Sequence, residues 1–462
     1  MSIVSSFIVP HPPLIIPEIG RGEELKIQKT IDAYHNIAKQ ISEIKPDTII
    51  VTTPHSIMYS DYIHISPGKG AEGNFREFGH RNISMKSEYD VDLIAEISKE
   101  AEKEGIPAGI LGEKNSSLDH GVMVPLYFVN QYYNDYKLIR ISISGLSYLE
   151  HYQFGRCIQK AVEKRFPNPI VFIGSGDLSH MLKDTGPYGY REEGPIFDRE
   201  VTKAMKTGNF LEFLKFDEDF CESAAECGLR SFIIMAGALD GKAVKSELLS
   251  YEGPFGVGYA LAAFKVLGDD EERRFDEIYL RTEMERIEAL KSEEDEYVRL
   301  ARQTLESYVI NRKIIKKPDS LSHTLVSNRA GVFVSLKLDG SLRGCIGTIS
   351  PTTPSIADEI IRNAISAGTE DPRFPPVSED ELPRLIYSVD VLGEAEKIES
   401  LDELDPVRYG VIVTKGHRRG LLLPNLEGVD TAEEQVSIAL RKAGISPDEN
   451  YQLERFEVVR HK

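Results

Sequence analysis

The chain has 462 residues, of which 41% are hydrophobic and 28% charged, with 36 Gly, 24 Pro and no Trp. This is the usage of a folded globular protein of two or three domains, and it excludes a collagen, a coiled-coil rod and a low-complexity tail. Lys and Arg number 55 against 74 Asp and Glu, a net charge of −19, so nucleic acid or an anionic membrane would be met against the mean field; small molecules or proteins are the expected partners.

Residues 1–20 are apolar but lack a basic leader and are broken by Pro10, Pro12, Pro13 and Pro17, which is wrong for a signal peptide. No apolar run approaches the roughly 20 residues that span a bilayer, so a cytoplasmic protein is expected. Apolar β-branched runs at Ile3–Val9, Thr48–Thr53, 138–144 and 170–173 read as buried strands of an α/β sheet. Between the first two, Ile27, Ile31, Tyr34, Ile37, Ile41 and Ile44 recur at helical spacing and stop before Pro46. Helices are predicted over 204–216 and 225–239, then a Gly-rich turn at 253–258 leading into a small-residue helix. Residues 269–291 are charged and poor in apolar side chains, reading as a helical linker. The first domain is therefore placed at 1–268 and the second at 292–462. The second opens with a helix carrying Tyr297, Leu300, Ala301, Thr304 and Leu305 behind Ser292 as N-cap. Strands follow at 331–338 and 386–392, with a Gly-rich turn around Gly344 and Gly347 and a last strand at 451–459. Cys157, Cys221, Cys227 and Cys345 form no C-x-x-C pair, so reduced thiols are expected.

Three histidines follow predicted strands: His11 in Pro10-His11-Pro12-Pro13, His55 in Thr53-Pro54-His55-Ser56, and His180 in Gly174-Ser175-Gly176-Asp177-Leu178-Ser179-His180. Ligands of α/β sheets collect at carboxyl ends of strands. Neutral imidazole is a common metal donor, which makes His11 and His55 a candidate ligand pair, although each ring could equally cap its strand by hydrogen bonding. The two glycines let the backbone pass close to a ligand, and Asp177 and His180 can face one pocket. His120, in Leu118-Asp119-His120-Gly121, is a fourth candidate, preceded by a carboxylate. The best third donor is Glu226, a carboxylate among small and apolar residues where an unpaired charge is costly. As a helix-start carboxylate it would instead face solvent. Its neighbour Cys227 is a thiolate alternative.

On these motifs, in this order, residues 1–268 resemble the class III extradiol dioxygenases of the LigB-like type and the related Memo family. The resemblance implies a three-layer α/β domain with a central sheet. It implies His11, His55 and Glu226 as metal ligands, and His180 and His120 as non-ligand histidines that handle protons and substrate, with Asp177 and Asp119 behind them. Memo proteins carry a Cys before Gly at the carboxylate position, so Cys227-Gly228 is the other match. Two His and a carboxylate on Fe(II) leave three open positions, enough for both oxygens of a catecholate and O₂; thiolate ligation would favour Zn or Cu instead. The expected activity is ring cleavage of a catechol-like small aromatic substrate. A metal-dependent hydrolase or lyase is a further reading, with His180 as base toward metal-bound water.

In the second domain, Leu342-Arg343-Gly344-Cys345-Ile346-Gly347 and Asp371-Pro372-Arg373-Phe374-Pro375-Pro376 stand out. Arg343 beside Cys345 could lower the thiol pKa, while a small buried Cys in a tight turn is the plainer reading. With Gly420-Leu421-Leu422-Leu423-Pro424 and Lys442-Ala443-Gly444, these motifs resemble the AMMECR-type domain, implying a smaller α+β fold. The combination of both domains is similar to the A proteins of AmmeMemoRadiSam systems. That resemblance implies a Memo-like protein and a radical S-adenosylmethionine enzyme as partners, and with them a third reading, an accessory protein whose metal site is repurposed.

Overall fold

The computed structural model describes residues 3–114, 117–165, 168–426 and 428–462, and the chain divides into two compact units, Met1–Leu280 and Arg281–Lys462. The first unit contains strands β1 (Ile3–Val9), β2 (Thr48–Thr53), β3 (Ile63–His64), β4 (Gly70–Phe75), β5 (His80–Glu88), β6 (Ala108–Gly109), β7 (Lys137–Ser142), β8 (Ile170–Ser175), β9 (Lys242–Glu252) and β10 (Tyr259–Asp269). The central sheet runs β7-β2-β8-β1-β10-β9. Its first four strands are parallel, while β10 pairs antiparallel with β1 and β9 antiparallel with β10. The parallel strands are almost continuously buried, as their β-branched, two-sided apolar composition requires.

Two helical groups cover the sheet. In one, Gln28–Ile44 packs on His120–Val129; in the other, Val91–Glu104 packs on Tyr148–Arg165, which packs on Leu229–Gly237. The result is a three-layer α/β domain. Gln28–Ile44 buries Tyr34, Ile37, Ala38 and Ile41 and ends at Lys45 in the left-handed region. Val91–Glu104 begins at Asp90, whose side chain accepts the Leu93 N–H, and ends at Gly105, also left-handed.

The segment after the 253–258 turn is a strand, β10, not the predicted small-residue helix. Lying between β1 and β9, it pairs on both edges, and its alanines fit the crowded sheet interior, so tertiary pairing overrides helix propensity. The helix predicted over 204–216 stops at Thr207, capped by left-handed Gly208, and the one predicted over 225–239 starts only at Leu229 because Ala225 is left-handed.

The charged segment contains a helix, Phe275–Glu293, inside which the division between the units falls. In the second unit the helix Glu296–Asn311 is capped by Asp295, which accepts the Tyr297 and Val298 N–H groups; Ser292 lies inside the preceding helix instead. Strands β11 (Val332–Leu338), β12 (Ser341–Gly347), β13 (Leu385–Leu392), β14 (Glu396–Ile398), β15 (Gly410–Lys415), β16 (Arg418–Leu422), β17 (Gln452–Phe456) and β18 (Val458–His461) form two four-stranded sheets, β12-β11-β13-β18 and β14-β17-β15-β16. The helix Ile356–Thr369 packs on the first sheet and Ala432–Ala443 on the second. The Gly344 and Gly347 segment is strand rather than turn. Gly344 is needed there because a Cβ would come 2.1 Å from the Ala367 carbonyl of the covering helix. Among the described residues no helix is long and apolar enough to cross a membrane.

Candidate metal centre

Because β1, β2 and β8 are parallel, their carboxyl ends share one edge of the sheet. His11 lies two residues beyond β1 and His55 two beyond β2, while His120 is the first residue of the helix His120–Val129. The three histidines converge with donor nitrogens within 4.8 Å of one another. The Nε2 atoms of His11 and His55 are 2.9 Å apart, and the His55 and His120 rings lie 4.0 Å apart between centroids.

Two glycine contacts make this convergence possible. A Cβ on Gly121 would sit 2.3 Å from Thr53 Oγ1, so glycine lets the helix start butt against the end of β2 and bring His120 to His55. Asp119 caps that helix, accepting the Val122 N–H and the Thr53 hydroxyl, with Arg140 at 3.6 Å. A Cβ on Gly176 would lie 2.1 Å from Gly228 Cα. That backbone contact seats the loop carrying Cys227 against the end of β8. Gly176 of the Gly-Ser-Gly-Asp segment thus serves protein packing, where the sequence suggested the close approach of a ligand, while a Cβ on Gly174 would make only ordinary contacts.

The hydrogen bonds fix ring tautomers. Ser175 Oγ donates to the Gly121 carbonyl at 2.6 Å, so it accepts at 3.0 Å from His11 Nδ1, leaving His11 Nε2 unprotonated, an acceptor facing His55 Nε2. His180 Nδ1 donates to the Ala225 carbonyl, which frees its Nε2 in the same way. Burial, followed by the repulsion of His55, His120 and His180, holds the His11 pKa well below the ordinary imidazole value. Burial and His120 bring His55 to about 4. Burial lowers His120 and His180 too. The rings are therefore neutral near pH 7, the state that ligates metal.

Cys227 Sγ lies 3.7 Å from His11 Nε2. A sulfur and a nitrogen on one zinc can be at most about 4.3 Å apart, the sum of the two bond lengths, so this separation fits a shared ion. The Asp177 N–H points at the sulfur at 3.3 Å. Burial, then Asp177 and Glu226, push the thiol pKa well up, a shift that a bound cation would reverse.

Glu226, expected as the carboxylate ligand, is not in the histidine group. Its Oε2 accepts the Leu229 N–H at 2.6 Å, satisfying the start of the helix Leu229–Gly237, and burial raises its pKa to about 7. His120, expected as a non-ligand, is inside the group. Asp177 supports His11, accepting its backbone N–H at 2.8 Å, and is pushed by burial to about 7.

Two cavities open on this edge. One, of about 1030 Å³, is lined by His55, His120 and the β4–β5 hairpin, including Arg76, Phe78 and Arg81. The other, of about 550 Å³, is lined by His180, Asp177, Tyr188, Phe255 and Tyr259. The Phe78 ring meets His120 edge-on at 5.5 Å, and Tyr188 meets His180 at 5.1 Å. Sequence reading missed these aromatic neighbours and the hairpin. The signal was the alternation within 80–88, which is weak because the hairpin is exposed on one side.

In the second unit, Arg343 binds Glu381 through Nε and Nη2 at 2.6 and 3.0 Å. Asp371 accepts the Cys345 N–H at 2.9 Å and grips Arg373 through both carboxylate oxygens. Cys345 is half-buried, with the Ser335 hydroxyl at 3.2 Å.

Comparison with known proteins agrees with this division. Residues 5–262 match the family of the catalytic LigB subunit of aromatic ring-opening dioxygenase, and residues 298–461 match AMMECR1. Protein CA_C1420 of Clostridium acetobutylicum is 47% identical, covering 100% of both chains. A Thermotoga maritima protein is 54% identical over 37% of this chain and 98% of its own. In the solved structure of PH0010 from Pyrococcus horikoshii, 35% identity covers 36% of this chain and 88% of that one, with a TM-score of 0.34.

Proposed function

Since the chain belongs to the family of the catalytic LigB subunit of aromatic ring-opening dioxygenase and carries an AMMECR1 domain behind it, we propose that its first unit is a metal-dependent oxidoreductase of the extradiol type, acting on a small catechol-like aromatic. The observation that supports this most is the convergence of His11, His55 and His120, all neutral and with His11 Nε2 unprotonated, at the carboxyl edge of the sheet beside an open cavity. His11 and His55 would hold the ion, with His120 as the third nitrogen. When bound, Fe(II) held by three imidazoles supplies three open positions at which diol and O₂ meet.

The protein groups around it have definite tasks. Ser175 fixes the His11 tautomer, and Asp177 anchors the His11 backbone. His180 Nε2, free and unprotonated, accepts a phenolic proton and can return it to the product. Phe78, Tyr188, Phe255 and Tyr259 offer faces to an aromatic ring.

A second reading rests on Cys227. A thiolate 3.7 Å from His11 Nε2 suits Zn or Cu, and with it a hydrolase, a lyase or a repurposed site in a radical S-adenosylmethionine system. Oxygen uptake decides between them: anaerobically Fe(II)-loaded protein consumes O₂ with a catechol, and His55→Ala and His180→Ala abolish it. Full metal occupancy without uptake across a broad catechol panel contradicts the dioxygenase reading.

A further inference from the structure

The face of the sheet β12-β11-β13-β18 whose Phe333 and Leu392 pack with Ile412, Leu421 and Phe456 of the other sheet also carries a half-buried cluster that the metal chemistry does not use. Cys345, Ser335 and Ser388 stand in one row across β12, β11 and β13. The opposite face, with Val332, Val334 and Leu336, is buried. Two guanidiniums flank the row, each clamped by a buried carboxylate. Arg373 binds Asp371 through Nε at 2.9 Å and Nη2 at 2.7 Å, and Nη2 also reaches the Cys345 carbonyl. Arg460 binds Asp390 at 2.7 and 3.0 Å through the same two nitrogens. Asp371 and Asp390 are each 4% exposed, so both guanidiniums are held in place before any ligand arrives. Among the described residues neither Nη1 atom has a protein acceptor, which leaves each arginine an unused donor edge. Arg373 and Arg460 both lie within electrostatic range of Cys345.

A thiol receiving a hydroxyl hydrogen bond from Ser335, with two fixed cations and free N–H donors beside it, has the parts for a covalent reaction with a negatively charged partner. We infer that Cys345, Arg373 and Arg460 form a thiol site in the AMMECR1 domain that captures carboxylate-bearing electrophiles. The carboxylate pairs with the open guanidinium edges while the Cys345 thiolate attacks the electrophilic carbon. A C–S bond forms, the leaving group departs with its electron pair, and the thiol proton goes to solvent. The other thiols are poorly placed for this: Cys157 and Cys221 are 1% and 3% exposed, and Cys227 belongs to the metal centre.

Iodoacetate and iodoacetamide test the claim, because they differ mainly in charge and each forms the same C–S bond with loss of iodide. The full reduced chain is alkylated with each, and Cys345 modification is followed by peptide mass spectrometry. For free cysteine the neutral reagent is the natural reference. The expected iodoacetate-to-iodoacetamide rate ratio at Cys345 exceeds that of free cysteine by about tenfold or more, equivalent to ~1.4 kcal/mol. It falls back in Arg373→Gln and Arg460→Gln, is retained in the charge-conserving Arg373→Lys, and collapses in the unmutated chain as salt is raised. A ratio equal to that of free cysteine overturns the inference, as does a raised ratio indifferent to both arginine substitutions.

Discussion

Replacing Gly176 with alanine is the sharpest test of how the fold builds the candidate centre. The added methyl would lie 2.1 Å from Gly228 Cα, whereas carbon atoms rest at about 3.5–4.0 Å. The obstacle is backbone, so no side chain can swing away, and the loop holding Cys227 must retreat by about 1.5 Å. Overpacking of this kind costs about 1–3 kcal/mol. The same retreat carries Cys227 Sγ from 3.7 Å to roughly 5 Å from His11 Nε2, beyond the ~4.3 Å that a single zinc-sized ion can bridge. Gly174→Ala is the control, since its methyl would meet Phe232 Cδ1 at 3.4 Å, an ordinary contact. Where Cys227 shares the ion, as in the second reading, cobalt(II)-loaded proteins report the result through the thiolate-to-metal charge-transfer band. Gly176→Ala should lose the band while the imidazole ligand-field spectrum persists, and Gly174→Ala should keep both. An undiminished band in Gly176→Ala, or equal loss in the two variants, would refute the packing argument.

Glu226→Gln should leave metal stoichiometry unchanged, because the carboxylate is committed to the Leu229 N–H; metal analysis of the purified variant reads this directly, and loss of the ion would restore Glu226 as a ligand. Ser175→Ala should weaken metal binding by about 10–100-fold, since Ser175 sets the His11 tautomer; competitive chelator titration measures it. In the second unit, burial would raise Glu359, but hydrogen bonds from Thr353, Thr352 and Thr348 hold it down at about 2. A lowered carboxylate pKa stabilises above the unfolded value near ~4.3 and loses that contribution as pH falls toward 2, at most about 3 kcal/mol in all. Hydrogen exchange at the Thr352 and Thr353 amides, both bound to Glu359, should therefore separate the unmutated chain from Glu359→Gln at pH 6 and converge as pH approaches 2. Identical protection at pH 6 would remove the assignment.

The parallel core and its histidines were readable because their signals are local. β1 and β2 match their apolar runs end to end, and a Pro-His step after each places a ring at the sheet edge. What was not readable depends on partners distant in sequence. β10 looked helical because alanine says nothing of the two strands that flank it. For Glu226 the sequence offered both a ligand and a helix-start carboxylate; its bond from the Leu229 N–H fits the second, but made in a buried place rather than facing solvent. The same limit hid the Gly176 and Gly228 contact, where two residues 52 positions apart in the numbering touch through backbone alone.

The central claim is that His11, His55 and His120 surround an ion with open coordination positions. Metal analysis of the anaerobically purified 462-residue chain, followed by nitric oxide addition and electron paramagnetic resonance, tests it most directly. The account predicts bound iron whose nitrosyl adduct gives the signal of an open non-haem ferrous site, lost in His55→Ala and His120→Ala. Iron that gives no nitrosyl signal, or a signal untouched by both substitutions, would contradict it.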